Sequence, residues 1–367
     1  MSHLAPLQTL CEAARLPLSA WPTRYAGFHG IGVLCTYVPG EMLHAAGFTP
    51  VRLRSRGTPV RLADAHLPSY ACALCKSTLD QELTGELARL AGTVFAHTCD
   101  TMQALADLWQ MSPCTADIVA TVMQPANLGS TSSRVYLMAE MTRLRGQMEQ
   151  LAARPLRDQD LRASIDLYDE TRRLSQELGR YRERLHAAAY FAVLDAAQVM
   201  PRSLFNPLLS ALLSGLETAP VIARGPRLFL VGAQLSDPRL LELIEELGAQ
   251  VAGDDLCTGT RHFLGQVGSA GDPVGNLIDY YLQRAPCPSK RHPSHNADDV
   301  LLEKLHAARA DGVLFLLEKF CEPHAFEYAL LQPALDQAGV PHLALETEQT
   351  PNIEGLHTRL QAFLEML

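Results

Sequence analysis

Cysteine is the residue with the most chemical potential in this chain, which has nine in 367 residues. Cys72 and Cys75 form a CxxC pair, whereas the compact CxxCxxC spacing of ferredoxins is absent. Thiolates bind zinc and iron–sulfur clusters, and a thiol buried without metal packs as a small apolar side chain. Structural zinc sites usually present paired ligand motifs, so a zinc site built on this one pair is the least favoured alternative. Any cluster would therefore draw its ligands from distant segments.

Composition excludes several classes of protein. Hydrophobic residues make up 47% of the chain and charged residues 19%, which argues against disorder. The net charge of −9 gives no support for nucleic-acid binding. No apolar run reaches the roughly 18 residues that a membrane span needs, and the N-terminal segment lacks the pattern of a signal peptide. We expect a cytoplasmic protein, without disulfides, that binds neither nucleic acid nor membrane.

Nucleotide-binding motifs are also missing from the sequence. There is no GxxxxGK[ST] and no GxGxxG, and the GIG at 30–32 lies before the core of a strand instead of in the turn after it. We therefore expect this chain to bind no nucleotide. GxSxG and HExxH are absent as well.

Short apolar runs alternate with helical patterns in the first third of the chain. The predicted strands are 30–38, 49–53, 93–97 and 117–123, and the predicted helices are 41–46, 78–92 and 100–111. The last third has the same character, with strands at 227–233, 249–255, 311–320 and 340–346 and a helix capped by Ser236 or Asp237. Strands that alternate with helices predict parallel sheets covered on both faces.

The middle of the chain is helical, and 154–184 has the apolar stripe and charged face of an amphipathic helix. We predict an α/β protein in which two Rossmann-like lobes, 1–125 and 225–367, are joined by a helical layer, 126–224. The proline-rich segment 285–296 is predicted to be a loop.

This fold gives the cysteines different positions. Ligands in open α/β folds gather at the carboxyl ends of strands, where Cys35, Cys99, Cys257 and Cys321 fall; Cys72 and Cys75 follow a turn. Packing or loop roles are expected for the other three, Cys11, Cys114 and Cys287. The histidines near cysteines, His97, His262 and His324, are expected to be hydrogen-bonded residues and not ligands.

Several segments together resemble one enzyme family, the D-component family of 2-hydroxyacyl-CoA dehydratases and benzoyl-CoA reductases. They lie in the family's order along nearly the whole chain: GVLCTYVPGEMLHAAGFTPVR (32–52), CALCKS (72–77), HTCD (97–100), ELGAQVAGDDLCTGTRHF (246–263) and KFCEPHAFEYALLQPALDQAGVPHLALETE (319–348). Ala73 stands where the family usually has proline, and Gly40 where many members have an acid.

The resemblance implies two Rossmann-like lobes around a four-iron–four-sulfur cluster held by three cysteines. Carried over, the ligands are Cys72, Cys99 and Cys321, with Cys75 an alternative to Cys72 and Cys257 an alternative to Cys321. The implied activity is that of a dehydratase (a lyase) or a related acyl-CoA reductase, in which a low-potential electron forms a ketyl radical on the thioester. The implied partners are a homologous subunit, in a homo- or heterodimer, and a separate ATP-dependent iron–sulfur activator.

Further residues of these motifs have candidate roles. Thr36, Tyr37 and Glu41 lie beside the first strand end, where Glu41 can act as a base or serve as an N-terminal helix acid. Lys76 and Ser77 can donate hydrogen bonds to cluster sulfurs. Arg261 can bind a CoA phosphate or pair with Asp254 or Asp255.

Two alternatives stay open. One is a double-cubane (8Fe–9S) reductase of small molecules, for which the chain offers six cysteines: Cys35, Cys72, Cys75, Cys99, Cys257 and Cys321. The other is a non-catalytic iron–sulfur partner subunit of the same fold, which the departures at Ala73 and Gly40 motivate.

Overall fold

Two parallel β-sheets form the centre of the protein in the computed structural model, which describes residues 4–55, 57–112, 118–222, 224–235, 237–284, 286–348 and 353–367. The first sheet has the order β2-β1-β3-β4. Its strands are β1 (His29–Val33), β2 (Phe48–Arg52), β3 (Gly92–Ala96) and β4 (Ile118–Val122). The register places Gly32 of β1 beside Val51 on one side and Thr93 on the other.

The second sheet repeats this arrangement with the order β6-β5-β7-β8. Its strands are β5 (Arg227–Gly232), β6 (Gln250–Leu256), β7 (Gly312–Glu318) and β8 (His342–Thr347). All pairings in both sheets are parallel. The predicted fold class, α/β with two Rossmann-like parallel sheets, is confirmed. Because both faces of such sheets are covered, the central strands β3, β5 and β7 are buried along nearly their whole length.

Helices cover both sheets and fill the space between them. They are α1 (Leu4–Ala14), α2 (Trp21–Arg24), α3 (Gly40–Ala45), α4 (Ala73–Leu83), α5 (Asp100–Gln110), α6 (Thr131–Ala152), α7 (Asp158–Leu178), α8 (Ala187–Val199), α9 (Arg202–Leu216), α10 (Arg239–Glu246), α11 (Pro273–Leu282), α12 (Ala297–Ala308), α13 (Glu322–Gln337) and α14 (Ile353–Leu364). Within the described ranges, no helix combines the length and apolar character that crossing a membrane requires.

Some helix boundaries differ from those predicted. The predicted helix 78–92 instead begins at Ala73 and ends at Leu83, followed by Gly85 with a φ of +76°. The predicted helix 154–184 begins only at Asp158, since Pro155 disfavours a helical Arg154, and it continues beyond Leu178 as a 3-10 turn. The helix after β5 begins at Arg239, and the proposed cap Ser236 lies outside the described residues.

Two apolar cores connect the sheets to the helical layer. One joins α1, α8 and α9 to the second sheet and also includes Val51 of β2. The other joins one face of the first sheet to α6, α7 and α11, although α11 follows β6 in the sequence. The division of the chain at residues 125 and 225 stays a prediction.

Candidate functional site

The carboxyl ends of the two sheets meet at a common edge. Glu318, the last residue of β7, accepts a hydrogen bond at 2.5 Å from the backbone N–H of Leu74 in α4. Cys321 packs against the apolar cluster beneath the first sheet, which includes Leu34 and Leu53. This edge is where ligands of parallel α/β folds bind.

Four cysteines gather at this edge, and we call them the cysteine group: Cys72, Cys75, Cys99 and Cys321. Cys72 interacts electrostatically with each of the other three. Three of the four stand directly before helices: Cys72 before α4, Cys99 before α5 and Cys321 before α13. Free N–H groups at helix N-termini favour negative charge, so these are suitable positions for thiolates.

Burial opposes ionisation of these thiols. It raises the pKa of Cys99 even though the amides of Met102 and Thr101 donate to the sulfur. Burial also raises the pKa of Cys321. Hydrogen bonding with Cys72, and then burial, raise the pKa of Cys75 well above its ordinary value. Cys75, Cys99 and Cys321 therefore hold their protons at neutral pH, and binding of a metal by any of them would release its proton.

Glu318 lies beside this group and is almost completely buried. Burial raises the pKa of its carboxyl to about 7, although the Leu74 amide and the Gln234 side chain both favour the charged form. The carboxyl can therefore hold or release a proton near neutral pH at the edge of the site.

A second group of thiols adjoins the first and consists of Cys35, Cys257 and Cys287. Arg261 lies with its Nη1 3.5 Å from the Cys257 sulfur, and His324 with its Nε2 3.9 Å from it. Burial raises the pKa of Cys257 to about 12, and Cys287 and Cys35 contribute to the increase. Cys321 interacts electrostatically with Cys257, so the two groups are neighbours.

The predicted catalytic residues lie between the second thiol group and α7. Thr36, Tyr37 and Glu41 are all buried. Glu41 forms an ion pair with Arg172 of α7. The Tyr37 hydroxyl has no hydrogen-bond partner among the described residues, and the guanidinium of Arg284 lies 5.4 Å from the centre of its ring.

The three predicted cofactor-binding residues are engaged by the protein itself. Lys76 pairs with Asp64 at 2.8 Å and donates to the Ser69 carbonyl. The Gln81 amide donates to Ser77, 3.4 Å from its hydroxyl oxygen.

Arg261 pairs through Nε with Asp255 at 2.8 Å, while Asp254 pairs with Arg182. One of the two pairings open to Arg261 is therefore present in the structure.

Comparison with known proteins identifies the family. A family model described as 2-hydroxyglutaryl-CoA dehydratase, D-component, matches residues 35–367. The chain belongs to this family. The family resemblance of its motifs is thereby confirmed.

Relatives in the D-component family match over nearly their full length. The chain is 28% identical to a subunit of the benzoyl-CoA reductase of Thauera aromatica, covering 97% of this chain and 94% of the relative. It is 26% identical to the beta subunit of the lactoyl-CoA dehydratase of Anaerotignum propionicum, with 99% of each chain covered. It is 24% identical to the beta subunit of the (R)-phenyllactyl-CoA dehydratase of Clostridium sporogenes, over 93% and 92%. All three relatives are named as subunits, and the prediction of a dehydratase or reductase subunit is confirmed.

The donor set of the cysteine group suits the cluster implied for this family. Within the described residues, no three His, Cys, Asp or Glu side chains are placed to hold a single metal ion. Each cysteine of a cluster binds a different iron, so cluster ligands stand farther apart than the ligands of one ion. Cys72, Cys99 and Cys321 each stand before a helix N-terminus, and Cys99 and Cys321 both interact with Cys72. This spacing suits a four-iron–four-sulfur cluster better than a single metal ion.

Two residues of this edge, Cys287 and Glu318, are not predicted from the sequence. Sequence reasoning assigns Cys287 to packing or a loop, and the structure places it beside Cys35 and Arg261, whose charges influence its ionisation. Only its position in a proline-rich loop distinguishes it, and that carries no ligand signal. Glu318 is predicted only as part of a strand. Cys11 lies in α1, as expected, whereas Cys114 falls outside the described residues.

Proposed function

We propose that this chain is an iron–sulfur subunit of a 2-hydroxyacyl-CoA dehydratase or a benzoyl-CoA reductase-like enzyme. The observation that carries the proposal is the cysteine group, in which three thiols from two sheets stand before three helices. Membership of the D-component family and the names of its relatives supply the acyl-CoA substrate class.

The residues proposed to hold a four-iron–four-sulfur cluster are Cys72, Cys99 and Cys321. Cys75 is the alternative to Cys72, and Cys257 is the alternative to Cys321. The chemistry that such a cluster brings when bound is one-electron reduction at low potential, which a ketyl radical on an acyl-CoA thioester requires.

The remaining residues of the chain position the site and move protons. Glu318 holds α4 against β7 through Leu74, and its carboxyl can exchange a proton near neutral pH. The buried Tyr37 hydroxyl is free to donate a hydrogen bond to a bound ligand. Apolar residues around the thiols, among them Leu34 and Trp109, exclude water from reactive species.

The proposal includes two protein partners and a cellular location. A homologous subunit forms a homo- or heterodimer with this chain, and a separate ATP-dependent iron–sulfur protein supplies the electron. The described cysteines are all free thiols, which suits a reducing compartment, and we assign the protein to the cytoplasm.

The second thiol group favours one alternative. Cys257 interacts with Cys321 of the cysteine group, and Cys35 interacts with Cys257. Together with the four cysteines of that group they make the six thiols that a double-cubane cluster needs. In that case the enzyme reduces small molecules. A non-catalytic partner subunit would bind iron and turn over nothing.

Anaerobic purification followed by iron and sulfide analysis tests the proposal. We expect a brown protein with about four irons per chain and an electron paramagnetic resonance signal after reduction. Cys99→Ala should lose the iron and keep its fold, whereas Cys11→Ala, in a helix away from the edge, should keep both. About eight irons per chain would favour the double cubane.

Turnover separates the catalytic from the non-catalytic form. The chain is mixed with its partner subunit, the activator, ATP and 2-hydroxyacyl-CoA thioesters, and dehydration is followed. A chain that stays colourless and iron-free after anaerobic reconstitution contradicts the whole proposal, and an iron-loaded chain without turnover favours the non-catalytic subunit.

A further inference from the structure

A small cavity of about 40 Å³ lies behind the second thiol group, at the carboxyl ends of β1 and β2. Among its lining residues are four arginines, one histidine and one carboxylate: Arg52, Arg172, Arg202, Arg284, His262 and Glu41. A water molecule occupies about 10–15 Å³ of such a cavity, so this one has room for about three water molecules. A carboxylate group is of this size.

Two of the arginines, Arg52 and Arg202, form no direct ion pair in the described part of the chain. Asp195 attracts Arg52 and Glu41 attracts Arg202 electrostatically, but each of these carboxylates is paired with another arginine. Arg52 and Arg202 are each only 6% exposed. Nη1 of Arg52 and both Nε and Nη1 of Arg202 are buried without a hydrogen-bond partner. Arg202 hydrogen-bonds the side chain of Tyr168 and lies 5.2 Å from the centre of its ring, but this neighbour is neutral. Buried cations without a counter-charge are strongly unfavourable.

The carboxylates near the cavity are already in use. Glu41 is paired with Arg172, which also binds Asp169. Asp195 is paired with Arg54 at 2.5 Å. Arg284 donates to the Tyr280 hydroxyl and to the Arg261 carbonyl, both neutral acceptors. The cavity therefore carries a net positive charge, which comes from Arg52, Arg202 and Arg284.

The surroundings of His262 show the same excess of positive charge. Its Nδ1 is buried without a partner. Burial, followed by the charges of Arg202, Arg52, Arg284 and Arg172, lowers the pKa of His262 well below its ordinary value. All four guanidinium groups therefore act on one ring, and the ring stays neutral. The Cys35 and Thr36 side chains also line the cavity and complete a polar wall.

We propose that this cavity binds a carboxylate, held by Arg52 and Arg202 with His262 as a third contact. The planar fork of arginine matches the two oxygens of a carboxylate, and such charge-assisted hydrogen bonds are among the strongest in proteins. The carboxylate is either a small free anion or the end of an acyl chain. The second case rests on the proposed function and names its substrate class, a thioester whose acyl group carries a terminal carboxylate.

Thermal unfolding of the full chain tests the site without any turnover. Sodium acetate is compared with sodium chloride at equal ionic strength, for the wild type, Arg52→Gln, Arg202→Gln and Arg173→Gln. The last is the matched control, because Arg173 is an exposed arginine on α7 that is paired with Glu170. We expect acetate to raise the Tm of the wild type and of the control, with an effect that saturates as acetate increases. It should leave the Tm of Arg52→Gln and Arg202→Gln unchanged.

The variants also make a prediction without acetate. Removal of an uncompensated buried cation should leave Arg202→Gln at least as stable as the wild type in chloride. A variant that is clearly less stable than the wild type in chloride would show that the protein itself compensates Arg202, and it overturns the proposal. So does a wild type whose Tm acetate does not raise.

Calorimetric titration with glutaryl-CoA and pentanoyl-CoA then distinguishes the two sources. The thioesters have the same chain length and differ in the terminal carboxylate. At least tenfold tighter binding of glutaryl-CoA, lost in Arg202→Gln but kept in Arg173→Gln, assigns the site to the acyl chain. Acetate binding without affinity for either thioester supports a free anion at this site and counts against the proposed function alone.

Discussion

The Glu318 carboxylate accepts a hydrogen bond from the backbone N–H of Leu74 at 2.5 Å and so joins the last residue of β7 to the first turn of α4. Leu74 is two residues after Cys72, and Glu318 is three residues before Cys321. This contact therefore joins the two segments that carry two of the proposed ligands, Cys72 before α4 and Cys321 after β7.

Glu318→Gln should change how stability depends on pH. The folded-state pKa of about 7 lies above the ordinary value of 4.5, so the folded protein binds the proton more tightly. The stabilisation from this carboxyl is complete below about pH 4.5 and is lost as the pH rises through 7. Glutamine cannot ionise, so between pH 5 and 8 the wild type should lose about 2.5 kcal/mol relative to the variant.

Urea unfolding of the metal-free chain at several pH values measures this difference. Glu303→Gln is the matched control, because Glu303 is exposed on α12, and its pH profile should follow the wild type. Parallel profiles for the wild type and Glu318→Gln would show that Glu318 is ionised in the folded protein.

Cys72→Ala and Cys75→Ala should differ in iron content. Cys72 stands before α4, where the free N–H groups favour a thiolate, whereas Cys75 is fully buried within the helix. We expect Cys72→Ala to lose its iron. Cys75→Ala should keep its iron and lose about 1 kcal/mol of stability through weaker packing. The reverse result makes Cys75 the ligand.

Cys321→Ala and Cys257→Ala decide the ligand from the second sheet. Cys321 stands before α13 and interacts with Cys72, whereas Cys257 is held between Arg261 and His324. Iron analysis should show about four irons in Cys257→Ala and a loss in Cys321→Ala. A wild type with about eight irons, from which both variants lose iron, is the outcome that a double cubane requires.

Glu41→Gln should lower the free energy of unfolding. The change leaves Arg172 buried with one carboxylate, Asp169, in place of two. Removal of one partner from a buried pair typically costs about 3 kcal/mol or more. Chemical denaturation should show this loss, while Glu170→Gln on the exposed face of α7 should change stability by less than about 0.5 kcal/mol. Unchanged stability together with lost turnover would instead give Glu41 a role in the chemistry.

The fold could be predicted from the sequence because its strongest signals are local. Runs such as RLFLVGA are apolar throughout, which indicates strands buried on both faces, and the alternation with helices then requires parallel pairing. The strand-end rule also places Cys99 and Cys321 each at the carboxyl edge of its own sheet, and only the structure shows that the two edges meet. Helix ends are less accurate: the helix that carries Cys72 begins at Ala73, because CALC itself forms its first turn.

The arginine cavity could not be predicted, since its walls come from segments far apart in the sequence. Arg52 ends a strand, Arg202 begins a helix and His262 follows β6, and each fits its local pattern without a partner. Only the folded chain shows that their charges converge. Cys287 is missed for the same reason, because only tertiary contacts bring it to Cys35.

The packing of α11 on the first sheet has a mechanical consequence. The chain passes from the first sheet to the second through the helical layer, returns after β6 to place α11 on the first core, and crosses again to α12, which packs on the second sheet. A single linker would act as a free hinge, whereas three connections at different places oppose rotation about any one of them. We therefore expect the two halves to keep their spacing before any cofactor binds, so that the thiols at their common edge are preorganised for it.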